Sequence, residues 1–377
     1  MIRVLNVMGW GLRCGGMETR VMNYYRHIDR TKFQFDFLMP TDNYKNDFYY
    51  DEAISLGAEI YSGHRVPKNC LAVKVKNSFI LKAIVLARVL IKNPGYKIIV
   101  IHHDKPKIAL YTLVAKLFRV SARIVDSCSE LPMRPSMQRY KPLLRATATH
   151  YMGVSERAGI SLLGDEAAGK ITLFKHARDI ESFSYCPKRR LEMRIKLGIR
   201  DAFVMLNIGI IREEKNQTFL IDVLSHVSND CPNAVLLIAG DGVTSKLGLE
   251  LSEKANDLGL GNSVYFLGQC SDIPSLLQAA DVFCFPSLYE GLGGAAIEAQ
   301  SAGLPCLISD KVPPEVKITQ NTTFLPINKG PDIWAEKMLE YRSFERHETI
   351  DEMRAAGYEV RDAAKWLEEY FESCLSV

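Results

Sequence analysis

The fold of the chain is decided by the stretch Phe285-Pro-Ser-Leu-Tyr-Glu-Gly-Leu-Gly-Gly-Ala-Ala-Ile-Glu-Ala-Gln-Ser-Ala-Gly-Leu-Pro305. The apolar residues 281–286 predict a short buried strand that leads into this stretch. The glycines that follow open a helix, and Gly303 and Pro305 end it. The stretch therefore predicts a strand, a glycine-rich turn and a helix.

The turn has the chemistry of an anion site. Free amides and the positive end of the dipole at a helix N-terminus suit a diphosphate, and glycines let a ligand approach the backbone closely. Glu290 lies just before the helix, and Glu298 lies roughly 6 Å along its axis from Gly294, at ~1.5 Å per residue. There Glu298 can accept both hydroxyls of a ribose diol, and Glu290 can meet a transferred sugar. The pattern indicates a sugar-nucleotide site.

Further short motifs occur in a fixed order along the chain. They are Gly15-Gly16-Met-Glu-Thr19, Val154-Ser155-Glu156, Glu214-Lys215-Asn216, Gly240-Asp241-Gly242 and Phe266-Leu-Gly268. Together with the Glu-x7-Glu spacing of Glu290 and Glu298, they extend over nearly the whole chain. The chain thus resembles the retaining glycosyltransferases of family 4, which have the two-domain GT-B fold. It is particularly similar to bacterial exopolysaccharide and capsule enzymes.

The resemblance implies transfer of a hexosyl group with retained anomeric configuration, without a metal or other cofactor. The donor would be a nucleotide sugar such as a UDP- or GDP-sugar, and the acceptor a glycan or polyprenyl-diphosphate-linked saccharide of a cell-surface polysaccharide. Glu290 would be the catalytic residue. The residues implied in donor binding are Gly16, Arg212, Lys215, Leu292, Gly293, Gly294 and Glu298.

Strand and helix patterns alternate in both halves, which predicts an α/β fold of two doubly wound, Rossmann-like domains facing a central cleft. The predicted strands are residues 4–8, 33–38, 59–61, 97–102, 123–127 and 150–154, then 203–209, 234–239, 264–267, 282–285 and 306–309. We place an acceptor-side domain at residues 1–183 and a donor domain at 184–355. Residues 356–377 would form a helix that crosses back to the first domain, as in the family.

Three segments depart from the family pattern. Ile210 stands where relatives have an arginine, and Cys128 stands in the place of a histidine on the acceptor side. His103 and Asp126 are our acceptor-side candidates, with structural roles an equal alternative. The segment Lys175-His-Ala-Arg-Asp179 replaces Pro-Asn-Gly-Ile-Asp. These departures keep open a catalytically weak relative that binds a sugar nucleotide or acts as a scaffold. A sugar-nucleotide epimerase of the same fold ranks last, since that class lacks the Glu-x7-Glu run.

Charge is unevenly distributed. Residues 1–183 carry 28 Lys and Arg against 16 Asp and Glu, a net +12, and residues 184–377 carry 19 against 28, a net −9. A basic half suits an anionic partner, and with the resemblance we expect a membrane surface and not a nucleic acid. Lys68, Lys74 and Lys76 are the candidates for lipid contact. The nearby apolar stripe of residues 79–91 is interpreted mainly as the buried face of an ordinary helix.

Other features concern location. The nine cysteines include no Cys-x-x-Cys pair, which favours reduced thiols over disulfides or a zinc site. The N-terminus runs directly into a strand pattern, and no uncharged stretch is long enough to span a bilayer. We therefore expect a cytoplasmic protein that is peripheral on the inner face of the cell membrane.

Overall fold

The computed structural model describes residues 1–13, 15–39, 45–62, 79–130 and 135–376. The chain divides into two compact units, one of Met1–Ala177 with Glu359–Val377 and the other of Arg178–Tyr358. The sequence analysis placed these two joins at residues 184 and 356. Each unit has its own sheet and its own hydrophobic core.

Each unit is built on a parallel sheet. The first sheet contains β1 (Ile2–Met8), β2 (Phe33–Met39), β3 (Ile60–Ser62), β4 (Ile98–His102), β5 (Ala122–Ser127), β6 (His150–Gly153) and β7 (Thr172–Leu173). The second contains β8 (Phe203–Ile208), β9 (Ala234–Ala239), β10 (Val264–Gly268), β11 (Val282–Phe285), β12 (Cys306–Ser309) and β13 (Thr322–Leu325). The strand orders are β3-β2-β1-β4-β5-β6-β7 and β10-β9-β8-β11-β12-β13.

The sequence patterns missed β7 and β13, the last strand of each sheet. β7 has two residues, too few to form an apolar run, and β13 begins with two threonines. Both are edge strands, paired only with β6 and β12 respectively among the described residues. The expected counts of six and five strands were therefore wrong by one in each sheet.

The helices follow the strands in the alternating order that a parallel sheet requires. In the described residues they are α1 (Gly16–His27), α2 (Tyr50–Ser55), α3 (Phe79–Lys92), α4 (Ala109–Leu117), α5 (Pro135–Gln138), α6 (Lys141–Thr147), α7 (Glu156–Leu163), α8 (Pro187–Lys196), α9 (Gln217–Asp230), α10 (Lys246–Asp257), α11 (Ile273–Ala279), α12 (Gly294–Ser301), α13 (Pro331–Leu339), α14 (Ile350–Ala355) and α15 (Val360–Leu375).

Strand order changes direction once in each sheet. β1 lies between β2 and β4, and β8 lies between β9 and β11. In doubly wound sheets, ligands bind outside the carboxyl ends of the strands at such a point. The ends of β1 and β4 in the first unit, and of β8 and β11 in the second, are therefore the places to look for a site.

The last helix, α15, belongs to the core of the first unit. Its apolar residues recur at helical spacing, and Phe371 packs on Phe33 and Phe35 of β2 with ring centroids 5.7 and 6.2 Å apart. Glu359 caps the helix by accepting hydrogen bonds from the amides of residues 361 and 362. Burial of a phenylalanine contributes about 1.5–3 kcal/mol, so Phe371 alone is a substantial anchor.

Helix α3 is an ordinary helix with a buried apolar face, as the sequence indicated for most of its stripe. Leu86 and Leu90 are buried in the cluster that covers one face of the first sheet, whereas Ile80 and Ile91 are exposed. The lysines proposed for lipid contact, Lys68, Lys74 and Lys76, lie outside the described residues. No helix in the described ranges combines the length and the hydropathy needed to cross a bilayer.

Candidate active site

The predicted strand, turn and helix are β11, residues 286–293, and α12. Gly293 is the N-cap of α12 with φ +104°, and a Cβ there would come within 2.7 Å of the Phe285 ring. Both observations require glycine, since other residues rarely adopt this φ. The amide groups at the start of α12 therefore stay uncovered by any side chain of their own cap.

Lys215 and Glu290 meet at this turn. The Lys215 Nζ lies 2.5 Å from Glu290 Oε1, and the Ser287 hydroxyl donates to the same oxygen over 2.8 Å. The two charged side chains are 24% and 12% exposed. Lys215 also lies over the ring of Phe285, 5.5 Å from its centroid. An ammonium and a carboxylate are thus held together beside the N-terminus of α12.

The backbone holds the loop of Lys215 against the turn. The amide of Leu288 donates to the carbonyl of Glu214 over 2.8 Å, and the side chain of Asn216 donates to the carbonyl of Pro286. Asn216 has φ +54°, a left-handed conformation that asparagine tolerates better than most residues. The Glu-Lys-Asn motif and the Glu290 turn are therefore one connected structure at the ends of β8 and β11.

Three residues near this turn differ in exposure and charge. The Arg212 side chain is 61% exposed, and its guanidinium lies 3.6 Å from Glu214. Leu292 is buried, so its side chain packs inside the protein. Ile210, which replaces the family arginine, is half-exposed and uncharged. The role of Arg212 in donor binding therefore stays a prediction.

Glu298 lies one turn into α12 and forms an ion pair that the sequence analysis did not foresee. The Nε of Arg178 donates to Glu298 Oε1 over 2.8 Å. The side chains are 7% and 16% exposed, so the pair is largely shielded from water. Arg178 belongs to the segment 175–179, which departs from the family pattern. That departure was the sequence signal that could have revealed the ion pair, because it introduces an arginine near a site that contains two carboxylates.

In the first unit, Gly16 is the first residue of α1, after the N-cap Gly15. A Cβ on Gly15 would lie 2.5 Å from Glu18 Oε2, so the carboxyl group of Glu18 fills the space beside the cap. Burial raises the pKa of Glu18 to about 7, Asp47 adds to the shift, and the backbone amide of Glu18 and Arg13 oppose it. The glycine loop therefore carries a carboxyl group that titrates near neutrality.

Asp126 lies at the end of β5, inside the first unit. It accepts hydrogen bonds from Arg20 and, over 2.7 Å, from His102 Nδ1, and Arg20 and Asp126 are both fully buried. Burial opposes ionisation, but Arg20 and His102 outweigh it and lower the pKa of Asp126. Asp126 is therefore an ionised group paired within the protein, without an exposed face for an acceptor.

The same network contains three atoms of metal-ligand type, from His102, Asp126 and Cys128, within 4.8 Å of one another. Arg20, however, donates to Asp126 and lies 3.4 Å from the Cys128 sulfur. Burial and the Asp126 charge raise the pKa of Cys128 well above its usual value, so the thiol stays protonated. A guanidinium, and not a thiolate, faces the carboxylate, and this set does not fit a metal ion.

His103, the other acceptor-side candidate, follows β4 at the point where strand order changes. Its Nδ1 accepts hydrogen bonds from the amides of Asp104 and Lys105, over 2.8 and 3.2 Å. Burial, with Lys82 and Lys105, lowers the pKa of His103 to about 3. The ring is therefore neutral at physiological pH, and its proton resides on Nε2, which makes it a hydrogen-bond donor.

Comparisons with known proteins identify the chain's relatives. Residues 189–359 match the family model of glycosyl transferases group 1. EpsF of Bacillus subtilis, named as a glycosyltransferase, is 31% identical over 376 residues, covering 96% of this chain and 90% of EpsF. An Escherichia coli UDP-Gal:alpha-D-GlcNAc-diphosphoundecaprenol alpha-1,3-galactosyltransferase is 36% identical over 146 residues, 37% of each chain.

Solved structures agree on the fold. HepE of Anabaena, determined in complex with UDP and glucose, has a TM-score of 0.71 over 100% of this chain and 98% of HepE, at 16% identity. The lipopolysaccharide outer core galactosyltransferase WaaB has a TM-score of 0.68, over 99% and 100% of the two chains, at 16% identity. The predicted GT-B fold class is confirmed, and the full-length likeness to EpsF shows that the chain belongs to the group 1 glycosyltransferases.

Proposed function

We propose that the protein is a retaining glycosyltransferase of family 4. It transfers a hexosyl group from a UDP- or GDP-sugar to a glycan or polyprenyl-diphosphate-linked saccharide in cell-surface polysaccharide synthesis. The observation that carries the proposal is the pair of Lys215 and Glu290 beside the N-terminus of α12, with Glu298 one turn further. This group lies where ligands bind in a doubly wound sheet.

The donor diphosphate binds at the amides that open α12, near Gly293 and Gly294. The dipole of the helix and the ammonium of Lys215 stabilise the negative charge that develops on the leaving nucleoside diphosphate. Glu298 accepts the hydroxyls of the ribose. All of these groups belong to one unit of the protein, which is therefore the donor-binding unit.

Glu290 acts on the transferred sugar, where it orients the ring and stabilises positive charge at its anomeric centre. Lys215 Nζ lies 2.5 Å from this carboxylate and balances its charge. A diphosphate competes with Glu290 for the same ammonium, so donor binding releases the carboxylate toward the sugar. We assign no covalent nucleophile.

On the acceptor side, His103 offers its Nε2 proton as a hydrogen-bond donor, and the network of Asp126, Arg20 and His102 positions the surrounding strand ends. The Escherichia coli relative acts, by its name, on a sugar linked to diphosphoundecaprenol. An acceptor of that class, together with the net +12 of residues 1–183, supports work at the inner face of the cell membrane.

The alternative of a catalytically weak sugar-nucleotide-binding or scaffold protein rests on departures such as Ile210. The geometry of Lys215 and Glu290 favours an enzyme, since the ammonium reaches the turn without that arginine. Binding and transfer assays distinguish an active enzyme from a binding or scaffold protein. A panel of nucleotide sugars is first screened by thermal shift, because a ligand that binds only the native state stabilises it.

The best donor is then incubated with polyprenyl-diphosphate-linked saccharides, and the product is analysed by mass spectrometry and NMR. Transfer with the donor's anomeric configuration retained supports the proposal, and an inverted product contradicts the retaining mechanism. Donor binding without transfer to any acceptor supports the binding or scaffold role. Conversion of the donor sugar to its epimer would indicate a sugar-nucleotide epimerase.

A further inference from the structure

We infer that Arg178 is a charge-balancing and positioning residue of the donor site, which allows Glu298 to serve a ligand that carries a diphosphate. The inference rests on the proposed function, because it assumes that the ligand of α12 is a nucleoside diphosphate. What carries it is the ion pair between Arg178 Nε and Glu298 Oε1, 2.8 Å long and largely buried.

The backbone around Arg178 is held in place. Its amide donates to the carbonyl of Tyr358 over 2.9 Å, which joins the two ends of the second unit. The single turn of 3-10 helix that follows, Ile180–Phe183, packs against α12. The guanidinium is therefore presented to α12 from a fixed position and not from a solvated loop.

Charge explains why this position matters. Two carboxylates, Glu290 and Glu298, flank the helix N-terminus that would receive a diphosphate. Like charges repel more strongly where water is partly excluded than in bulk water. Among the described residues, Lys215 forms an ion pair with Glu290 and Arg178 forms one with Glu298. Without Arg178, Glu298 would place an uncompensated negative charge beside the phosphates.

Arg178 also fixes the orientation of Glu298. The hydrogen bond joins Arg178 Nε to Glu298 Oε1, and the carboxylate has a second oxygen with which to accept a hydroxyl of the ribose. An arginine that orients a carboxylate in this way acts through another residue, so it is a positioning residue and not a catalytic one. The two effects, charge balance and orientation, predict different losses for different ligands.

Calorimetry with UDP and with uridine separates the two effects, since uridine has the ribose but no phosphate. Where the parent protein prefers GDP, the probes are GDP and guanosine. Arg178→Gln should weaken diphosphate binding at least tenfold and nucleoside binding less than threefold. Arg200→Gln, at an exposed arginine of the same unit, is the matched control and should leave both affinities unchanged.

A double-mutant cycle tests the role of Glu298 directly. Arg178→Gln should reduce UDP affinity several-fold less in a Glu298→Gln background than in the parent, because no unpaired carboxylate then remains. The double variant buries no unpaired charge. Where Arg178→Gln alone unfolds, Glu298→Gln is compared with the double variant, and their UDP affinities should differ less than threefold; a tenfold difference would contradict charge balance. Thermal unfolding of each variant is recorded alongside.

The outcomes are distinct. A parent protein that binds neither UDP nor GDP overturns the proposed donor site and this inference with it. A parent that binds, with Arg178→Gln indistinguishable from Arg200→Gln, overturns the inference alone. Equal losses for UDP and uridine, or equal effects of Arg178→Gln in both backgrounds, would contradict charge balance against the diphosphate.

Discussion

Replacement of Asp126 by asparagine removes the charge that balances Arg20 inside the first unit. Both side chains are fully buried, and loss of one partner of such a pair costs about 3–5 kcal/mol, because the other charge stays uncompensated. Arg20 keeps a 2.8 Å hydrogen bond to the carbonyl of Phe174 and lies 4.3 Å from the centroid of its ring. We therefore expect a loss near the lower end, about 3 kcal/mol.

The loss is measured by urea unfolding at neutral pH, followed by tryptophan fluorescence. Trp10 and Trp366 belong to the first unit and Trp334 to the second, so a Trp334→Phe background confines the signal to the first unit. Asp165→Asn, at an exposed aspartate of the same unit, is the control and should change stability by less than about 0.5 kcal/mol.

Asp126 is expected to make the stability of the first unit sensitive to acid. The pKa of Asp126 is lowered in the folded protein, so its contribution is present above the usual pKa of aspartate and is lost as pH falls through the lowered value. Asp126→Asn should remove that acid sensitivity. Unchanged unfolding free energy, combined with loss of acceptor use, would refute the reasoning and restore Asp126 as a residue that contacts the acceptor.

The pKa of Glu18 is raised to about 7, so this group stabilises the folded state at low pH, and its contribution is lost as pH rises from about 4.5 to 7. Glu18→Gln should therefore flatten the dependence of the unfolding free energy on pH over that range, measured with urea, and an unchanged dependence would contradict the shift. Gly293→Ala should abolish calorimetric UDP binding, since the positive φ and a phenylalanine ring leave no room for a Cβ, and full affinity would show that the turn relaxes at little cost. Replacement of Lys68, Lys74 and Lys76 by serine should reduce sedimentation with anionic liposomes and leave UDP binding intact. Liposome binding of the parent protein should fall as salt rises, because the Debye screening length shortens to ~3 Å at 1 M, and equal recovery with neutral liposomes would contradict electrostatic attraction to the membrane.

The strand, turn and helix at residues 282–301 could be predicted because local rules dominate there. An apolar run, several glycines and a closing Gly-x-Pro each act over a few residues, and the observed β11 and α12 follow them. The sequence also implied that Lys215 and Glu290 belong to one site, although 75 residues separate them. Only the family resemblance supplied that link, since no local pattern joins two strand ends so distant in sequence.

What could not be predicted are the partners of buried charges. Asp126 was an acceptor-side candidate because it lies in the segment where relatives have a histidine, but Arg20, 106 residues away in sequence, pairs with it. Arg178 and Glu298 are likewise 120 residues apart. Such pairs depend on how helices lie across the sheet, and one sequence contains no signal for them beyond the charges themselves. Short edge strands such as β7 were missed for the related reason that pairing, and not composition, defines them.

The proposed mechanism has Glu290 act on the transferred sugar in the transition state. The most direct measurement compares kcat and the dissociation constant of UDP for the parent, Glu290→Gln and Glu250→Gln, the last at an exposed glutamate of the same unit. We predict that Glu290→Gln lowers kcat by about 10²–10³, as loss of a preorganised electrostatic group does, and changes UDP affinity less than tenfold. Equal kcat for Glu290→Gln and Glu250→Gln would contradict the account and leave Glu290 a structural partner of Lys215.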